Sequence, residues 1–274
     1  MNYEPPDLAE FAQLRRSLPI VAAALLLVAP LLPMWHIAVD AVQYPDTTLH
    51  LHLHAYPYIG GDYQEMHSLN KYIGFYYPDP VFWPPNYEPH PEAIAVPEWS
   101  LGPLAFAAIA AAGVFVALAP DIERLKRGLT YQLVGSVTVL TVMLVDIQYR
   151  LYQAGHRLDS DAPVMGVEGF TPPLWGKYEV ANITSYSKIG LGAYVTAFAI
   201  GLLVVALYYR DSTATVGDLP DLLAGRVDGA REWLDDQTVG DDEWTDDDGV
   251  PEAAGSGDRS GSDDRSGSGT GGGD

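Results

Sequence analysis

Four segments of this 274-residue chain are long and apolar enough to cross a lipid bilayer, and they bound every fold it can adopt. They cover residues 17–34, 101–119, 129–147 and 189–209. At 1.5 Å of rise per residue a helical crossing takes about 20 residues. The second and fourth segments carry no charge. The third contains Gln132, Ser136, Thr138 and Thr141, a polar set expected to face the bundle interior. The first holds Pro19, Pro30 and Pro33 and follows Arg15-Arg16. No small-x-small cleavage pattern comes after Pro33, so a retained span is expected rather than a removed leader. The expected fold is an all-α bundle of four transmembrane helices carrying a small mixed or β loop domain, followed by a disordered acidic tail.

Orientation follows the basic residues beside the spans. Arg15 and Arg16 precede the first, Arg124, Lys126 and Arg127 fill the turn between the second and third, and Arg210 follows the fourth. Segment 35–98 contains one basic residue, Lys71, whereas segment 149–188 has Arg150, Arg157, Lys177 and Lys188. This bias puts both termini in the cytoplasm of a multi-pass plasma-membrane protein, with segments 35–98 and 149–188 outside.

Charge divides the chain again. Residues 1–210 hold 18 acidic and 11 basic side chains, while 211–274 hold 18 acidic and four arginines, so −14 of the net −21 lies in the last 64 residues. Leu219, Leu222, Leu223, Val227, Ala230, Trp233 and Leu234 recur at helical spacing and predict an amphipathic helix within 211–240. From Asp241 the Asp/Gly/Ser run predicts a solvated tail of the kind found in salt-adapted proteins. No basic cluster exists to neutralise phosphates, which argues against nucleic acid as a partner. Cysteine is absent, which removes disulfides, thiolate metal sites, c-type haem attachment and cysteine nucleophiles. No nucleophile elbow, phosphate loop, dinucleotide fingerprint or zinc-protease helix occurs, so a self-contained catalyst is not expected.

All seven histidines lie in the two outward segments. His50, His52 and His54 alternate with leucines, and residues 47–56 form the best strand candidate. On a strand the three imidazoles share a face, a ligand set suited to copper or, second, zinc. His36, just outside the first span, and His67 are further candidate ligands; His90 lies in a proline-rich loop. Gly60-Gly61-Asp62 reads as a turn. The aromatic and proline-rich run from Tyr72 to Pro91 is expected to hold the loop domain against the headgroups. In the second outward segment, Asp146 and Arg150 are one helical turn apart and can pair. His156 and Asp159 are spaced so that the carboxylate can orient the imidazole or share a metal with it. Asn182-Ile183-Thr184 is a glycosylation triplet. No histidine lies inside a span, so haem held between helices is not expected.

Three stretches bring a known family into view. These are Ala41-Val42-Gln43-Tyr44-Pro45, then Leu69-Asn70-Lys71-Tyr72-Ile73-Gly74, then Gly155-His156-Arg157-Leu158-Asp159 with the stretches 170–176 and 181–187. Across residues 20–210 the chain resembles polytopic membrane proteins encoded beside the clade II, Sec-exported nitrous oxide reductases of bacteria and haloarchaea. The resemblance implies a process rather than a reaction: assembly, copper supply or electron delivery for an exported copper enzyme, which, with its maturation or electron-transfer proteins, would be the partner. The family often has His where Lys71 stands, and often lacks the triple histidine.

Three functions follow. The leading one is an accessory membrane protein whose outward His and Asp residues hold or pass on copper, with His36, His50, His52, His54, His67, His156 and Asp159 as candidate ligands. The second is a quinol-interacting subunit using Asp146 and His156. The third is a structural scaffold.

Overall fold

In chain order the elements are α1 (Leu14–Val28), β1 (Trp35–Ala41), β2 (Leu49–Leu53), β3 (Ile59–Gly61), α2 (Tyr63–Tyr72), α3 (Gly102–Ala117), α4 (Ile122–His156), β4 (Gly176–Val180), β5 (Ile183–Ile189) and α5 (Leu191–Tyr208). This computed structural model describes residues 8–79, 91, 93–164 and 166–222, with 224, 225, 228 and 231. Residues 219–222, 224, 225, 228 and 231 are helical, where the amphipathic helix is expected. His90 and the acidic run from Asp241 lie outside the described residues.

Four helical stretches, Leu14–Leu31, Pro97–Ala117, Ile122–His156 and Leu191–Tyr208, are long and apolar enough to cross a membrane. α3 and α5 each touch α1 on one side and α4 on the other. The seam is built from small residues, with Ala22, Ala23, Ala29, Ala110 and Ala199 between Leu26, Phe106, Ile109 and Leu203. Small side chains let helix backbones approach closely, which is how helices associate where no hydrophobic effect drives them together. α4 is longer than its expected span: its 35 residues reach about 52 Å, well beyond a hydrocarbon core of about 30 Å.

The polar residues of α4 divide. Gln132 and Ser136 are buried, with Gln132 Nε2 donating to the Ile109 carbonyl at 2.8 Å and Ser136 Oγ to the Gln132 carbonyl at 2.6 Å. Thr138 and Thr141 are exposed, contrary to expectation. The reason is angular: at about 100° per residue, Thr141 lies about 180° around the helix from Gln132.

At the end of the bundle that carries residue 14, Leu14 N–H donates to Ala214 C=O at 2.9 Å and Lys126 pairs with Asp211 at 2.7 Å. Arg16 is 1 % exposed there; its guanidinium donates to Ala117 C=O at 2.7 Å and Ala119 C=O at 2.8 Å and pairs with Glu10 at 3.1 Å. It thereby satisfies carbonyls at the α3 C-terminus, where helix geometry leaves them without partners.

At the other end stands a five-stranded antiparallel sheet in the order β3-β2-β1-β5-β4. The sequence predicts one strand here, over 47–56; β2 falls within it, and Gly60-Gly61 is strand rather than turn. Trp35, Ile37, Val39, Leu49, Leu51, Val180 and Ile183 form one apolar face, packed on Tyr63, Met66 and Leu69 of α2 and Ala154 near the end of α4. Phe75 and Tyr77 of the aromatic run belong to this same core, while Phe82, Trp83 and Tyr87 lie outside the described residues.

The β4–β5 connection is a two-residue turn, Ala181-Asn182, with Ala181 at φ 53°. A left-handed conformation costs an L-residue about 1–2 kcal/mol, which glycine avoids at some entropic cost. Ala181→Gly should therefore stabilise by about 0.5–1 kcal/mol, raising a thermal midpoint by about 1–3 °C. An unchanged or lowered midpoint in detergent would show that the turn is not strained.

Candidate metal centre

Strand alternation decides which imidazoles meet. In β1 the residues Trp35, Ile37 and Val39 turn to the apolar core, so His36, Ala38 and Asp40 occupy the opposite face. In β2 the same rule leaves His50 and His52 on that face. The register sets His36 directly across from His52 and Ala38 across from His50. His36 Nδ1 lies 2.9 Å from His52 Nδ1, and His36 Nε2 lies 3.3 Å from His50 Nδ1. The three rings form a row with His36 in the middle.

Hydrogen-bond accounting fixes what neutral imidazoles can do there. A neutral ring has one donor and one acceptor nitrogen. The row can run in either direction, but in both His36 donates through one nitrogen and accepts through the other. Burial lowers the pKa of His36 below the ordinary histidine value, helped by the charges that His52, His50 and Lys188 would place beside it. The neutral ring, the form that binds metal, is therefore favoured. Lys188 faces His36 across β5, and the Asp62 carboxylate accepts the backbone N–H of His50 at 2.8 Å. Gly61, at φ 90°, brings β3 close: a Cβ there would lie 2.1 Å from the His50 carbonyl oxygen.

The other candidates are placed elsewhere. His54 follows the last β2 residue, and its ring packs against Tyr56 and Tyr58 with centroids 5.4 and 5.1 Å away. Burial lowers its pKa as well. His67 is on α2, stacked on Tyr63 with centroids 5.8 Å apart. His156 ends α4, with Nδ1 2.9 Å from the Tyr152 carbonyl oxygen and its ring 4.1 Å from that of Tyr152. Asp159 accepts the Tyr76 hydroxyl at 3.2 Å and the Asp161 N–H at 2.9 Å, so His156 and Asp159 hold separate partners. Since α2 and the end of α4 pack on the apolar side of the sheet, His67 and His156 are on the wrong side to supplement His50 and His52. The imidazole that shares their face is His36. Among the described residues, no three His, Asp or Glu side chains are arranged to hold one metal ion.

Asp146 pairs with Arg150 as expected, at 3.8 Å, but the nearer partner of Arg150 is Glu98, at 2.6 Å from Nε. Glu98 precedes α3 by chain position and carries no sequence signal linking it to α4. Asp146 and His156 stand ten residues apart on one helix, about 15 Å along its axis.

Residues 155–159 lie against residues 69–74 and 170–176. Asp159 N–H donates to Gly74 C=O at 2.9 Å and Phe170 N–H to Gly155 C=O at 3.0 Å. An open cleft of about 420 Å³ is lined by Lys71, Tyr72, Tyr76, Asp159 and Asp161. A second, of about 540 Å³, is lined by residues 40–42 and 44–48 with Asn182 and Thr184. Comparison with protein-family models, curated proteins and solved structures gives no match to this chain.

Proposed function

We propose that this chain is a multi-pass membrane protein with both termini in the cytoplasm, and that its outward sheet domain handles copper for an exported copper-dependent respiratory enzyme, of the nitrous oxide reductase kind. The observation that carries the reading is the row of His36, His50 and His52 on one face of the sheet, at the end of the bundle opposite Arg16, Lys126 and Arg210. Membrane insertion is supported by side chains such as Val134, Val142, Val145 and Phe198, which are 59 %, 62 %, 64 % and 62 % exposed on apolar helices. A contiguous apolar surface of that kind calls for lipid. The orientation is supported by the basic residues gathered at the terminal end.

Two measurements test this. Single cysteines at Ser68, Ser160 and Ser256 are exposed to an impermeant maleimide on intact cells; Ser68 and Ser160 should label, and Ser256 only after lysis. Labelling at Ser256 alone would reverse the topology and put the histidines inside. Deleting the gene should leave the exported enzyme abundant but copper-poor and inactive. Full copper loading in the deletion strain would remove the copper role.

A further inference from the structure

We infer that His36 and His50 are the two protein ligands of a metal site on the polar face of the sheet, and that His52 orients His36 rather than binding the ion. This rests on the reading of the sheet domain as metal-handling and specifies its chemistry. Two nitrogens bonded at 2.0–2.1 Å to a tetrahedral ion are about 3.3 Å apart. The His36 Nε2 to His50 Nδ1 hydrogen bond is 3.3 Å long, which equals one edge of such a shell, so an ion can replace its proton with little movement of the two nitrogens. The His36 Nδ1 to His52 Nδ1 separation is 2.9 Å, the length of an N–H···N hydrogen bond. With Nε2 given to the metal, His36 keeps its proton on Nδ1 and donates it to His52. That is the usual arrangement of a metal-bound histidine, whose second nitrogen donates to a neighbouring acceptor that fixes the tautomer and the ring plane.

The surroundings support the division of roles. His50 is exposed and His36 half-buried, so the edge between them opens outward. Asp62 holds the His50 backbone by accepting its N–H and donating its own N–H to the His50 carbonyl, both at 2.8 Å, which fixes the strand position from which that imidazole projects. Two protein nitrogens leave the remaining coordination positions to water or to a ligand brought by a partner. A site of that kind releases its ion readily, as transfer requires. Without thiolate, the donor set suits Cu(II) or Zn(II).

The test is Cu(II) binding to the purified full chain in detergent, followed by calorimetry and by electron paramagnetic resonance, whose superhyperfine pattern counts bound nitrogens. One ion with two imidazole nitrogens is expected. His36→Gln and His50→Gln should abolish that signal, and His52→Gln should weaken affinity by about 10–100-fold. His54→Gln and His67→Gln should bind as the parent does. Because His50 is exposed, His50→Gln leaves the fold intact and is decisive even if His36→Gln perturbs the strand. Copper bound equally well by His50→Gln, or a ranking that puts His52 or His54 first, overturns this site while leaving a metal function elsewhere on the chain. A parent protein that binds no copper removes both this site and the copper part of the proposed function.

Discussion

Arg16→Met should destabilise the helix bundle by about 3 kcal/mol, the largest loss expected from any single change at the terminal end. The guanidinium is buried and donates to two carbonyls of the α3 C-terminus, Ala117 and Ala119, while pairing with Glu10. A hydrogen bond from a charged group contributes about 1.5–3 kcal/mol, and an abandoned buried acceptor also loses its hydration. Glu10 is part-exposed and can regain water, which keeps the loss near the lower end of that range for two bonds. Arg16→Lys separates two roles. It preserves the positive charge, so in the proposed topology Ser68 should still label from outside. It lacks the planar fork that reaches two carbonyls and a carboxylate together, so about half the stability loss should remain. Thermal unfolding in detergent reads the loss. A Met variant as stable as the parent would show that water serves the α3 carbonyls equally well.

Gly155→Ala should cost about 2–3 kcal/mol, because the added carbon would lie 1.9 Å from the Phe170 carbonyl oxygen. That oxygen is backbone, so no side-chain rotation relieves the clash. Residues 169–172 must move off α4. Gly169 lies against the His156 ring, where a Cβ would come 2.7 Å from Cδ2, so the displacement should reach the end of the helix as well. The expected result is a lowered thermal midpoint with faster proteolysis between residues 158 and 176. A parent-like midpoint would mean that this contact is looser than the structure has it.

The four apolar helices are legible in the sequence because each is a continuous local signal. The sheet is not, because its pairing is not local. Residues 35–41 alternate Trp, Ile, Val and Ala with His, Ala and Asp, yet Ala38 blurs the alternation and the segment closely follows an apolar span. The partner of β1 on its far side, β5, begins at Ile183, and nothing in residues 35–41 names it. The histidines show the same limit. The alternation of His50, His52 and His54 was readable, but β2 ends at Leu53, and His54 goes to the tyrosines. The place of His36 depends on the register of β1 against β2, which a seven-residue connection between the strands does not specify. Conversely, the Asp146–Arg150 pair was readable as one helical turn, whereas the stronger contact with Glu98 crosses between segments.

The central strands of the sheet are continuations of two of the long apolar helices. β1 follows α1 within a few residues, β5 leads straight into α5, and Gly190 N–H bonds Met34 C=O at 2.9 Å where the two paths part. Synthesis therefore imposes an order. The β1–β2–β3 half can pair as soon as it emerges, and β4 with β5 much later. Until then β1 presents an open edge beside the His36 row, while α3 and α4 are still being made. Open edges recruit strands, and pairings distant in sequence close slowly. A nascent chain halted before residue 183 would carry half a sheet with its histidines assembled and its edge bare, the form most prone to pair with a neighbour. Arrival of β5 seals that edge, and because β5 leads straight into α5, the sheet closes just ahead of the last helix of the bundle.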